Sequence, residues 1–137
     1  MSLSKVFDIA GSAMSAQSVR LNVTASNLAN AGSVHGDPDK VYKARQPVFA
    51  PFQETLSSQY GVSGVQLTGI VDSQAPLTVQ HRPDHPDADA DGNVYVSNVK
   101  TVEEMVNMLS ASRSYKNRIE LMSTTKDLLL QTLSIGR

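Results

Sequence analysis

Cysteine is absent from this chain of 137 residues, as is tryptophan, and there are only three phenylalanines and four tyrosines. Without cysteine there are no disulfide staples, no Cys-ligated zinc and no thiol nucleophile. Any large core must be aliphatic, because aromatics make up 5% of the residues. Charge is scarce as well, at 18% of residues, which points to surfaces covered by partners. The near balance of 12 Lys+Arg against 13 Asp+Glu argues against a nucleic-acid binder that relies on overall basic charge. No apolar run approaches the ~20 residues of a membrane-spanning helix. The longest aliphatic run toward the C-terminus is Leu128-Leu129-Leu130. Asp8 interrupts the apolar residues near the start, so a cleavable secretory signal is not expected.

What is present is unevenly distributed. All six prolines (Pro38, Pro47, Pro51, Pro76, Pro83, Pro86) fall within residues 31–97, together with six of the eight glycines. That stretch holds Lys40, Lys43, Arg45 and Arg82 against eight acidic residues, whereas both flanks are net basic. The flanks read as two long helices around a turn-rich insert. We therefore expect an α+β fold. Residues 1–33 and 98–137 would pair as a coiled-coil-like bundle, and residues 34–97 would form a small β-rich body.

The first helix is expected over residues 3–30. Phe7, Met14, Leu21 and Leu28 recur every seven residues, with Ala10, Gln17, Thr24 and Ala31 three further on. The second begins near Thr101, where Glu104 stands three residues after a candidate Thr cap, and Gly136 can end it. Its seam is Met105, Met108, Ser112, Tyr115, Ile119, Met122, Lys126, Leu129 and Leu133, spaced three and four throughout. Helices at opposite ends of a chain meet only if the middle folds back, giving an antiparallel pair. Gln17, Thr24, Ser112 and Lys126 sit where an isolated coiled coil wants leucine, so the seam reads either as a ragged hairpin or as a pair completed by other subunits. Asn22, Asn27 and Asn30 favour the second reading, because asparagine is a poor helix former and needs partners when buried. In the middle, strands are expected over residues 41–49, with a break at Pro47, and over residues 62–71, 78–80 and 94–96. Turns are expected at residues 36–39, 57–61 and 83–92.

The candidate chemistry is thin. Asp87-Ala88-Asp89-Ala90-Asp91-Gly92 matches the first half of a calcium loop, but position 12 is Asn98 instead of a bidentate Glu, and prolines stand where a helix should precede it. An acidic turn entering a strand is the competing reading. His81 and His85 have the i,i+4 spacing of a ligand pair, yet Pro83 lies between them, so they and His35 read as loop histidines. There is no Gly-rich phosphate loop, nucleophile elbow or recognisable triad, and the sequence does not argue for an enzyme or for a bound cofactor.

One resemblance organises these features. Residues 16–31, with the core Leu21-Asn22-Val23-Thr24-Ala25-Ser26-Asn27-Leu28-Ala29-Asn30, look like the N-terminal signature of bacterial flagellar rod, hook and hook-associated proteins. Val102-Glu103-Glu104-Met105-Val106-Asn107-Met108 with Ala111-Ser112-Arg113-Ser114-Tyr115 resembles the other terminal motif of that family. Ser73-Gln74-Ala75-Pro76 and residues 83–92 resemble its proximal rod members. Residues 53–70 are the least diagnostic.

The resemblance implies a structural subunit of the basal-body rod. It would be exported without a cleavable signal by the flagellar type III apparatus and assembled with its own copies and with other proximal and distal rod proteins and the export-gate/MS-ring adaptor. Paired helices would face the inner tube and the β body would face outward. The expected subunit contacts are Leu21, Asn22, Asn27, Leu28 and Asn30 on the first helix. On the second they are Met105, Met108, Arg113, Tyr115, Ile119, Met122 and Leu129. The competing reading for the apolar ones is packing between the two helices. The rival functions are a calcium-binding module and a helical adaptor that is stable and ordered on its own.

Overall fold

The computed structural model describes residues 3–52 and 64–136. Two helices bracket five strands: α1 (Leu3–Ala29), β1 (Val34–His35), β2 (Arg45–Phe52), β3 (Gly64–Asp72), β4 (Thr78–His81), β5 (Asn93–Val96) and α2 (Thr101–Ile135). The expected turn at residues 57–61 and the start of the second strand lie outside the described residues.

Helix α1 is proline-free, and Asn30 terminates it. The Asn30 side chain donates to the carbonyl of Ser26 at 2.8 Å, tying down a last-turn carbonyl. Helix α2 starts at Thr101 without the expected capping box: Lys100 holds the cap position with no side-chain cap. Its ammonium instead reaches Glu103 at 3.0 Å, and Glu103 and Glu104 place negative charge at the positive end of the helix. At 1.5 Å per residue, the 27 and 35 residues of α1 and α2 span roughly 40 and 50 Å.

The chain returns to the end of α1 before α2 begins, because β5 pairs with β1 (Val34 opposite Val96) and Ser97 donates its N–H to Ser33. Helix α2 then runs back along α1, antiparallel, with Glu104 and Asn107 beside Thr24 and Arg20. Being the longer helix, it outruns the described start of α1. Its last two turns present Leu128, Leu130, Leu133 and Ile135, which are 53–84% exposed.

The strands form two sheets, β1-β5-β4 and β2-β3, all antiparallel. Strand β2 starts later than expected and runs through Pro47, which pairs with Ile70. The Ser73 N–H donates to Ala44 at the open end, and alternation from that bond puts the Pro47 nitrogen on the outer edge, where no ladder bond is lost. A register shift between Val48 and Phe49 bends this hairpin. In the three-stranded sheet Val94 is fully buried, and with Val41, Ala44 and Val99 it forms a small aliphatic core.

Two glycines are required where loops meet. A Cβ on Gly36 would strike the carbonyl oxygen of Asp87, so the turn after β1 and the β4–β5 connection approach through a gap that only glycine leaves. Gly92 has φ of +74, a left-handed conformation, with His81 and Pro83 packed 3.1 Å from where a Cβ would sit.

Candidate functional site

The helix pair has an unusual division of labour. Among the described side chains of α1, those that are buried are small or short: Ala10, Ala13, Ala16, Val23, Thr24 and Asn27. The heptad residues Phe7, Met14, Leu21 and Leu28 are only half-buried. On α2 one residue is buried, Ala111, which is 0% exposed. The covered positions of the two helices are thus held by small or short side chains, and the large ones remain at their margins.

The inward side of α2 carries Met108, Ala111, Ser112, Tyr115, Arg118, Met122 and Thr125. Compared with the expected seam, Glu104, Arg118 and Thr125 are more buried than Met105, Ile119 and Lys126, their respective neighbours in the chain. A straight helix repeats every 3.6 residues, so a strict seven-residue stripe drifts off the contact line. Met105, Arg113 and Ile119 therefore stand exposed, as does Asn22 on α1, while Leu21, Leu28, Met108, Tyr115, Met122 and Leu129 are half-buried. Val102, Val106, Leu109 and Leu121 add to the open apolar surface of α2, at 50–72% exposure.

The asparagines behave differently from one another. Asn22 is exposed, and Asn30 is used to end its own helix. Asn27 is 1% exposed, and its needs are met inside the chain. Its Oδ1 accepts from the Tyr42 hydroxyl at 2.8 Å and from the Arg45 N–H at 2.9 Å, and its Nδ2 donates to the Arg45 carbonyl at 2.9 Å. These hydrogen bonds are made inside the chain. The partners of Asn27 lie 15 and 18 residues away, beyond the reach of any local pattern. The buried alanines of α1 carried a usable signal, since Ala10 and Ala13 lie three apart and Ala16 three further on.

The acidic turn is built around Asp89. Its Oδ1 accepts from the N–H groups of Asp91 (3.0 Å) and Asn93 (2.7 Å), while its own N–H donates to Asn93 (2.9 Å). The carboxylate thus serves the turn that feeds β5. Among the described residues there is no group of three His, Cys, Asp or Glu side chains that could hold a metal ion. The histidines do similar local work: Nδ1 of His35 accepts from the Asp37 N–H and Nδ1 of His85 from the Asp87 N–H, at 2.9 and 3.1 Å. No described helix is long and apolar enough to cross a membrane.

A pair of terminal helices half-covered by each other, carried on a small β body, is the build of a subunit made for assembly. Comparison with known proteins gives that class its identity. Residues 7–36 match the family of flagella basal body rod proteins, and residues 90–135 match the C-terminal family of flagellar basal body rod FlgEFG proteins. Over the full length of both chains, this one is 49% identical to the flagellar basal-body rod protein FlgC of Salmonella typhimurium, across 137 residues. Against the FlgC protein of Yersinia enterocolitica the figure is 50% over 141 residues, with 100% of each chain covered. A more distant FlgC protein, from Buchnera aphidicola subsp. Baizongia pistaciae, is 36% identical over 141 residues, again with 100% of each chain covered. The chain belongs to the FlgC family of flagellar basal-body rod proteins, which are structural proteins and not enzymes.

Proposed function

We propose that this chain is a structural subunit of the proximal rod of the flagellar basal body. It polymerises through its terminal helices, helps enclose the export channel and passes torque from motor to hook. Residues 1–33 and 98–137 form the inner-tube part and residues 34–97 the outward body. The observation that carries this reading is the helix pair, which buries Ala10, Ala13, Ala16 and Ala111 and leaves ten large apolar side chains of α2 exposed. A self-sufficient helical hairpin does the reverse. Fully covering one such side chain contributes about 1.5–3 kcal/mol, so neighbouring helices have much to gain by docking there. The contacts are heterologous and open-ended, as a rod requires.

The residues assigned to these contacts are Leu21, Asn22, Leu28, Asn30, Met105, Met108, Arg113, Tyr115, Ile119, Met122 and Leu129. The partners are other copies of this chain, the neighbouring rod proteins and the export-gate/MS-ring adaptor. The chain reaches its place through the type III export apparatus without a cleavable signal, and a chain free of cysteine avoids mispairing in the oxidising periplasm. Electron microscopy of cells lacking the gene, complemented by the full chain or by a version ending at Asn98, tests this. Loss of hook and filament, rescued only by the full chain, is the expected result. Normal flagella in the deletion strain would refute it.

A further inference from the structure

Strands β2 and β3 pack along α1, where Ser12 Oγ accepts from the Val65 N–H at 3.2 Å, and among the described residues they have no packed face on α2. Where the base of this hairpin passes α2 there is a groove of about 320 Å³, lined by Arg20, Arg45, Gln46, Glu104 and Asn107 among others. Packing along α1 therefore holds one side of the hairpin, and no packed face on α2 holds the other. Residues 41–44, which lead into β2, belong to no strand or helix, so their backbone groups need other partners.

Two asparagines from opposite ends of the chain supply them. Asn98, three residues before α2, accepts from the Ala44 N–H through Oδ1 at 2.7 Å and donates through Nδ2 to the Ala75 carbonyl at 2.8 Å. Asn27, on α1, takes the N–H and the carbonyl of Arg45, both at 2.9 Å. The Ser73 N–H closes the hairpin base on Ala44 at 2.7 Å. Consecutive peptide units are thus held by one amide from each helical arm, and Asn98 also grips the chain where it leaves β3.

We propose that Asn27 and Asn98 are positioning residues that form an amide clamp on Ala44 and Arg45, fixing the angle between the hairpin and the helix pair. An amide is required because each side chain both accepts and donates. A carboxylate of the same shape keeps the acceptor, loses the donor and sets negative charge against a carbonyl oxygen. The geometry supports the clamp by itself. Its use, keeping the outer body rigid while the helices carry load, rests on the rod reading above.

The test is the spread of distances between spin labels on the purified full chain. The labels attach to S18C on α1 and T68C on β3, both exposed positions in a chain with no native cysteine. Asn27→Asp and Asn98→Asp should each broaden the distribution about twofold, and the pair together by less than the sum, because they grip one segment. Asp89→Ala, which loosens the β4–β5 turn away from residues 41–45, should lower the melting temperature and leave the width unchanged. Unchanged widths in both asparagine variants would overturn the clamp, as would equal broadening by Asp89→Ala. If Asn27→Asp does not fold, Asn98→Ala at the half-buried site carries the test. Failure of the clamp leaves the rod reading standing, since the deletion strain is scored separately.

Discussion

The C-terminal half of α1 and the C-terminal half of α2 are both helices with heptad character, and they are held in opposite ways. From Ala16 to Asn30, α1 is tied down: Val23, Thr24 and Asn27 are buried, and Ser26 and Asn27 bond to Tyr42 and Arg45. From Ile119 onward, α2 has no buried residue, and Ile119, Leu121, Leu128, Leu130, Leu133 and Ile135 are exposed. The difference shows that a repeating apolar pattern does not by itself say what covers it. In α1 the pattern's small positions are satisfied within the chain. In α2 the large ones stand open within the chain.

Breaking the open half should have the largest effect. Leu129→Asp should abolish rod assembly and motility while leaving the β signal in circular dichroism intact, because an interface that loses one leucine and buries a carboxylate loses several kcal/mol at each contact. Normal motility in that variant would mean that this stretch of α2 is not an assembly surface.

Hydrogen exchange on the isolated subunit sharpens the same contrast. Amides over residues 126–135 should exchange on the order of a hundred times faster than those over residues 20–28, since an unsupported helix gets little stability from propensity alone. Equal protection along both helices would favour a self-contained adaptor.

Smaller effects belong to the outer body. Gly36→Ala should lower stability by about 1–3 kcal/mol in thermal unfolding, because the new methyl meets the Asp87 carbonyl and the two loops must part. At the acidic turn, Asp89→Ala should cost about 1 kcal/mol and Asp89→Asn less than about 0.5 kcal/mol, since asparagine keeps the acceptor for the Asp91 and Asn93 N–H groups. Calorimetry with millimolar calcium should show no heat with the unaltered chain. A calcium-dependent rise in melting temperature, lost in Asp89→Asn, would revive the metal-loop reading.

Much of the fold was legible in advance because its signals are local. Proline-free flanks with three-and-four spacing gave the helices, and glycine and proline clusters gave the turns. The misplacements also have physical causes. Strand β2 runs through Pro47 because that residue sits on a free edge, which one sequence cannot reveal. Three positions of the α2 seam move by one residue, to Glu104, Arg118 and Thr125, because a straight helix does not keep a period of seven. Asn27 bonds to Tyr42 and Arg45 within the chain, and partners so far along the sequence leave no trace in its neighbourhood.

The order of residues alone determined two long helices around a turn-rich β middle, the absence of thiol chemistry, and the terminal motifs shared with rod proteins. Those depend on periodicity, composition and short contiguous patterns. Only the tertiary structure decided which face of each helix is covered, that small or short side chains and not the large heptad residues are the covered ones, and that Asn27 and Asn98 converge on one pair of peptide units. Such outcomes depend on groups up to 54 positions apart in the chain meeting within 3 Å, and no local rule encodes that distance.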